Sequence, residues 1–185
     1  AVAALQKGDG DLAFLAMRPP GHHAMPARAM GFCLFNNIAV GAAYALAKYG
    51  YRHIAIVDFD VHHGNGTEDI VEGDERILFC SSFQHPFYPG TGAGSSASNV
   101  VNIPLPRLTD GAAFSEAVLE QWIPRLEAFA PELILISAGF DGHRDDDMAQ
   151  FNLLEKDYAW ITRQLSQQAT LSADKRIVSC LEGGY

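Results

Sequence analysis

Asp58, Asp60 and His62 stand at alternate positions in the stretch DFDVHHGNG, Asp58–Gly66. In an extended segment, residues two apart point to the same side. Two carboxylates and an imidazole are therefore expected on one face. Left unpaired at a buried strand end, such groups are costly, and a divalent cation satisfies them together. Oxygen and nitrogen ligands at about 2.0–2.2 Å suit zinc, and an incomplete protein shell marks a catalytic site. The competing reading is an ion-paired turn with a solvated histidine. Asp141 lies between Phe140 and Gly142, just after the apolar run Glu132–Ala138. With Asp60 and His62 it forms a facial set that leaves open positions for water and a carbonyl oxygen. A metal held this way lowers the pKa of water toward about 7 and polarises the carbonyl.

The adjacent His22 and His23 sit in a loop braced by Pro19, Pro20 and Gly21. One imidazole could take a proton from an attacking water and return it to a leaving amine, and the other could hold charge as an imidazolium. Tyr185, after two glycines, could present a phenol to a tetrahedral oxyanion; the bland alternative is an aromatic packed on the core. Asp58 could orient one of the tandem histidines, and with the Ser81 hydroxyl it could frame a second, oxygen-lined cation site. Phe32 and Tyr88 are expected in loops flanking the crevice, as walls of a narrow channel for an alkyl chain or as plain packing. Gly90–Gly94 is glycine-rich but lacks the Gly-Lys-Ser/Thr ending of a phosphate loop. His143–Asp147 reads as a solvated loop, and His53 and His85 as structural or surface residues.

These residues need a scaffold. Leu12–Met17, Ile54–Phe59, Arg76–Cys80, Val100–Ile103, Glu132–Ala138 and Arg176–Leu181 read as strands, with Pro104 ending the fourth. Helices are expected over Ile38–Tyr49, capped by Asn36 or Asn37 and closed by Gly50, and over Glu68–Glu72. A third covers Gly111–Ala130, with Phe114, Val118, Trp122 and Leu126 inward and a kink or break at Pro124. A fourth opens at Asn152–Glu155 through a capping-box variant. Ser81–Asn99 reads as a long functional loop. Alternating strands and helices predict an α/β fold of three layers, α/β/α, around a mostly parallel sheet. The polar clusters all follow strands, at the carboxyl edge where open α/β sheets bind ligands.

Composition fits this picture. The chain has 185 residues, 48% of them hydrophobic, and a net charge of -9. That excludes a disordered chain and supplies no basic patch for direct nucleic-acid binding. Acidity is compatible with cationic substrates. Cys33, Cys80 and Cys180 have no paired spacing and read as buried thiols in a reducing, cytoplasmic compartment. No apolar stretch is long enough to span a membrane. The chain starts at Ala1 without an initiator methionine and stops at Tyr185. A single catalytic domain over 1–185 is expected, as a fragment lacking amino- and carboxyl-terminal parts.

Six segments occur in the order characteristic of one family. They are RPPGHHA (Arg18–Ala24), GFCLFNN (Gly31–Asn37), DFDVHHGNGT (Asp58–Thr67), FYPGTG (Phe87–Gly92), SAGFDGH (Ser137–His143) and LEGGY (Leu181–Tyr185). The chain thereby resembles the histone deacetylase superfamily, which includes bacterial acetylpolyamine amidohydrolases and acetoin-utilisation-type proteins. The resemblance implies an arginase/deacetylase-like fold and a zinc-dependent amidohydrolase, with ferrous iron as the alternative metal. It implies Asp60, His62 and Asp141 as metal ligands and His22 and His23 as the tandem catalytic pair, His23 being the general base and acid. It implies Tyr185 as the oxyanion donor, and Asp58 as the partner of His22 that shapes a potassium site with Ser81. Phe32 and Tyr88 match the walls of an acyl-lysine tunnel, and Gly31 a backbone acceptor near the acetyl nitrogen. Asn65 stands where some members carry a carboxylate behind the second histidine, which implies a less basic His23. Acetylated lysine, acetylated polyamines and other small acylamides are the implied substrates, and a homo-oligomer is compatible. Two other readings are a catalytically silent acyl-group or peptide binder on the same fold, and a binuclear arginase-like hydrolase, which needs more Asp and His ligands.

Overall fold

The computed structural model describes residues 1–185. Six strands form one sheet: β1 (Leu12–Leu15), β2 (Ile54–Asp58), β3 (Ile77–Gln84), β4 (Val100–Leu105), β5 (Leu133–Ala138) and β6 (Ile177–Leu181). Their order is β1-β6-β5-β2-β3-β4, and every pairing is parallel. The central strands β2, β3 and β5 are buried along their whole length, which explains their continuous apolar runs.

Five helices cover the two faces: α1 (Val2–Gln6), α2 (Asn37–Tyr49), α3 (Asn65–Val71), α4 (Gly111–Phe129) and α5 (Glu155–Ser172). On one face, Phe114, Val118, Trp122 and Leu126 of α4 and Tyr158, Ile161 and Leu165 of α5 pack on Ala55, Val57, Ile134 and Ile136. Each large apolar side chain buried this way contributes about 1.5–3 kcal/mol. On the other face, Val2, Leu5, Ile38, Ala42 and Val71 cover Ile54, Ile56, Phe79 and Leu135. The result is the expected three-layer α/β/α sandwich. No helix is long and apolar enough to cross a membrane, and the three cysteines are free and buried.

Several boundaries differ from expectation, each for a local reason. β1 ends at Leu15, short of Met17. β3 continues through Ser81, Ser82, Phe83 and Gln84, residues expected in the long loop. Here it is paired to β4 up to the register Gln84↔Leu105. Pro104 lies inside β4 rather than ending it, which is tolerated because β4 is an edge strand. α4 runs unbroken through Pro124. Both Pro124 and Glu120, whose carbonyl the proline cannot serve, are exposed to solvent. α3 starts at Asn65 instead of Glu68. Asn36 caps α2 by accepting from the Ala39 N–H at 3.0 Å. α5 opens at Leu154, not Asn152, and Asp157 accepts from the Leu154 N–H at 2.9 Å. Asn152 instead donates to the Leu108 carbonyl.

Candidate functional site

β2 delivers Asp58 to the carboxyl edge of the sheet and then stops, so the alternation expected from Asp58 to His62 is not that of a strand. Asp58 Oδ1 accepts from the Asp60 N–H at 3.1 Å, and Asp60 Oδ1 from the His62 N–H at 2.8 Å. Each aspartate closes a turn onto the backbone two residues ahead, a local habit of Asp side chains. The turns split the three groups. Asp58 points toward the tandem histidines, while Asp60 and His62 converge with Asp141, which follows β5.

The ligand atoms of Asp60, His62 and Asp141 lie within 4.8 Å of one another, and all three residues are buried. His62 Nδ1 is 3.0 Å from Asp60 Oδ1 and 3.1 Å from Asp141 Oδ2. Ligands about 2.0–2.2 Å from a tetrahedral cation stand about 3.3–3.6 Å from each other. The two contacts of His62 therefore need to open by only a few tenths of an ångström. Outer lone pairs are already used: Gly183 N–H donates to Asp60 Oδ2 at 2.8 Å, and Val61 N–H to Asp141 Oδ1 at 3.2 Å. These bonds fix which oxygens face inward. Two glycines make room. A Cβ on Gly139 would sit 2.1 Å from Asp60 Oδ2, and one on Gly183 would sit 2.0 Å from Asp141 Oδ2.

Electrostatics point the same way. Burial works against charge on His62, yet the Asp141 and Asp60 carboxylates pull its pKa up to about 9. Burial, and then the Asp60 charge, push Asp141 up to about 6 against the pull of His62. Two buried carboxylates compete for one positive charge, which a divalent cation supplies more fully than a proton. The donor set fits such an ion.

His22 and His23 lie beside this cluster, their ring centroids 4.0 Å apart. His22 Nδ1 is 2.9 Å from Asp58 Oδ2, and its Nε2 is 3.8 Å from Asp60 Oδ1. Burial opposes charge on His22, but Asp58, Asp60 and Glu182 together hold its pKa well above the ordinary imidazole value. His23 Nδ1 is 2.8 Å from Asn65 Oδ1. Burial, then the neighbouring His22 charge, lower its pKa to about 3. The His22–Asp58 pair thus keeps its proton to higher pH than a free imidazole, with burial pushing the Asp58 carboxyl itself up to about 7 against the pull of His22, while His23 is held as a neutral base. Because an amide oxygen faces Nδ1, the proton sits there and the lone pair on Nε2.

The remaining candidates are spread more widely. Ser81 lies opposite Asp58 in the β2–β3 register, and its buried Oγ has no hydrogen-bond partner. That orphaned oxygen is free to take a further ligand. The Gly31 carbonyl accepts from Cys33 Sγ at 3.2 Å. Phe32, at φ 62°, turns its ring into solvent and is 75% exposed. Tyr88 packs edge-on to His23, centroids 5.2 Å apart, and lies 6.1 Å from His62. Tyr185 is about half exposed, and the Arg18 guanidinium carbon sits 3.9 Å from its ring centroid.

Three residues at the site were not expected. Phe87 stacks on His62 with centroids 5.5 Å apart. His63 is buried between Thr91 Oγ1 at 2.8 Å and Glu68 Oε2 at 2.7 Å, tying the Phe87–Gly92 loop to α3. Glu182 is fully buried behind the tandem histidines. A charged residue between an apolar strand and a Gly-Gly turn, at the edge where the other clusters fall, was the available signal for it.

Comparison with known proteins gives the family and the fold. The histone deacetylase domain matches residues 1–185. "Type-2 histone deacetylase 2" of Dictyostelium discoideum is 45% identical across all of this chain, which corresponds to 12% of that protein. A "Probable deacetylase" of Archaeoglobus fulgidus is 42% identical over 94% of the chain and 50% of its own length. The "Histone deacetylase-like amidohydrolase" of Pseudomonas aeruginosa is 37% identical over 100% of the chain and 50% of its own length. The crystal structure of the HDA15 HD domain superposes with a TM-score of 0.91 at 38% identity, covering 100% of this chain and 55% of that one. The chain thus spans about half, or less, of the length of these relatives.

Proposed function

The chain belongs to the histone deacetylase family, and we propose that it acts as a metal-dependent amidohydrolase removing acetyl groups from amines. The observation that carries this reading is the buried Asp60–His62–Asp141 cluster beside one charged and one neutral imidazole. Asp60, His62 and Asp141 would hold a divalent cation, zinc or alternatively ferrous iron, which when bound acidifies water and polarises a carbonyl oxygen.

His23 carries the proton transfers. Its Nε2 lone pair accepts a proton from the attacking water, and the imidazolium so formed returns it to the leaving amine. Asn65 supports the required tautomer by accepting from Nδ1. His22, charged against Asp58, keeps a positive field beside the developing negative charge and opposes early protonation of His23. The Tyr185 phenol donates to the oxyanion, for which its ring must turn from the Arg18 face toward the cluster. Ser81 and Asp58 would hold a potassium ion behind the pair.

The preferred substrate is a primary amine acetylated at the end of a flexible alkyl chain, as in acetyl-lysine or an acetylated polyamine. Tyr88 and Phe87, packed against His23 and His62, favour a slender apolar chain. Phe32 would close the opposite side, and the Gly31 carbonyl would accept from the amide N–H. The net charge of -9 favours a cationic body on that chain.

The experiment is turnover of an acetyl-lysine peptide and of acetylated spermidine by metal-loaded protein and by His23→Ala and Tyr185→Phe. Each variant should lose about 10²–10⁴ in kcat, as removal of a general base or an oxyanion donor does, with metal content unchanged. Near-normal rates in both variants would dismiss the mechanism.

A further inference from the structure

We propose that Glu182 is a positioning residue for the tandem histidines, acting through the backbone that carries them. The inference rests on the reading of His22 and His23 as the proton-transfer pair.

Glu182 Oε2 accepts from the N–H of Gly21 at 2.7 Å and from the N–H of His22 at 3.1 Å. Its other oxygen, Oε1, accepts from Ser137 Oγ at 3.1 Å. The same carboxylate therefore clamps the histidine loop to the ends of β5 and β6. On the opposite side, the His22 carbonyl accepts from the Thr67 N–H at 3.1 Å, at the start of α3. The backbone at His22 is thus held from two elements on different sides of the loop.

The loop has no slack to replace this clamp by shifting. A Cβ on Gly21 would fall 2.6 Å from the Asn37 nitrogen and 2.9 Å from the Phe35 carbonyl oxygen. The chain there already lies against the start of α2. Glu182 makes no ion pair with Lys or Arg, and a fully buried carboxylate is expensive to keep. An apolar residue would avoid that cost but would leave the Gly21 and His22 N–H groups and the Ser137 hydroxyl without their acceptor. Besides the charge it lends to His22, behind the larger contributions of Asp58 and Asp60, the carboxylate supplies direction. It aims two successive N–H groups inward, so that the two following side chains fall on Asp58 and Asn65.

Two variants separate position from charge without opening a large cavity. Glu182→Gln keeps the length and one acceptor oxygen for the two N–H groups, with its NH₂ turned to Ser137. Glu182→Asp keeps the charge but withdraws the carboxylate by about 1.5 Å, one C–C bond. A displacement of about 1 Å at a positioning contact costs up to about 10²-fold in rate. Glu182→Asp should therefore lose about 10–100-fold in kcat with KM changed less than about threefold and metal content intact. Glu182→Gln should stay within about fivefold of wild type. Amide hydrogen exchange at Gly21 and His22, followed by NMR in the full chain, should quicken in the Asp variant and not in the Gln variant.

An Asp variant with wild-type kcat, a Gln variant slower than the Asp variant, or unchanged exchange at Gly21 and His22 in the Asp variant each overturns the proposal. Exchange is read without turnover. A wild-type protein inactive on both substrates removes the functional reading, while the exchange pattern still decides the role of Glu182.

Discussion

The metal-free protein should lose stability as pH rises from about 6.5 to 9, and a bound divalent cation should cancel the share of that loss due to His62, leaving the share due to His22, whose pKa is also raised well above its ordinary value. His62 is held between Asp60 and Asp141, and its folded pKa is raised to about 9 from an ordinary value of 6.5. A raised folded pKa stabilises fully below the unfolded value. That contribution disappears as pH climbs through the folded one. The difference of about 2.5 units is worth about 3 kcal/mol at 1.36 kcal/mol per unit. In a domain of this size, about 1 kcal/mol moves Tm by about 2–4 °C, so the expected fall is about 6–12 °C. The Asp141 carboxyl, raised to about 6, also favours lower pH but titrates before this window opens. The assay is a pair of thermal melts, chelator-treated and metal-loaded, across pH 6 to 9.5. Imidazole NMR spectra of the chelated protein would assign the titration to His62. With metal bound, the cation takes the place of the proton, and the slope due to His62 should vanish. A chelated Tm that stays flat from 6.5 to 9, or equal slopes with and without metal, would refute this account of the cluster.

Other outcomes follow from the same geometry. Asp141→Asn should weaken divalent-metal affinity by more than the ~10–100-fold lost with an outer hydrogen-bond partner, read by competition with a chromogenic chelator; unchanged affinity would remove Asp141 from the ligand set. Asn65→Asp places a carboxylate at the oxygen now 2.8 Å from His23 Nδ1, so the His23 imidazole resonance should titrate at higher pH than in wild type, and an unmoved or lower midpoint counts against the contact. Burial pushes the thiols of Cys33 and Cys180 up to about 11 and that of Cys80 up to about 12. All three should react with a thiol reagent only after denaturation, and rapid labelling of the native protein would contradict the packing.

Much of the fold could be read from apolar runs, because central parallel strands are buried on both faces and need no alternation. Ile54–Val57 and Leu133–Ala138 show this directly. The convergence of polar residues from separate strands also carried over, since the sheet brings Asp58, Ser81 and Ser137 into register, although all three lie within their strands and not after them. Sequence failed where contacts are tertiary or run through the backbone. The spacing of Asp60 and His62 belongs to side-chain-closed turns, which share a period of two with a strand. Ser81 and Ser82 read as loop by composition, yet pairing with β4 keeps them in the sheet. Glu182 hydrogen-bonds two peptide N–H groups about 160 residues away in sequence, and an N–H carries no residue signature. The stacking of Phe87 on His62 depends on a loop conformation that the glycines permit without specifying it.

Within this sheet β1 pairs with β6 alone: Leu12 pairs with Ile177, and Leu15 with Cys180. During synthesis on the ribosome, the segment bearing His22 and His23 emerges early but has no seat until β6 has left the exit tunnel. Glu182, which locks that segment, arrives later still. A nascent chain that has not yet released β6 should therefore leave the segment bearing His22 and His23 without the strand partner that seats it.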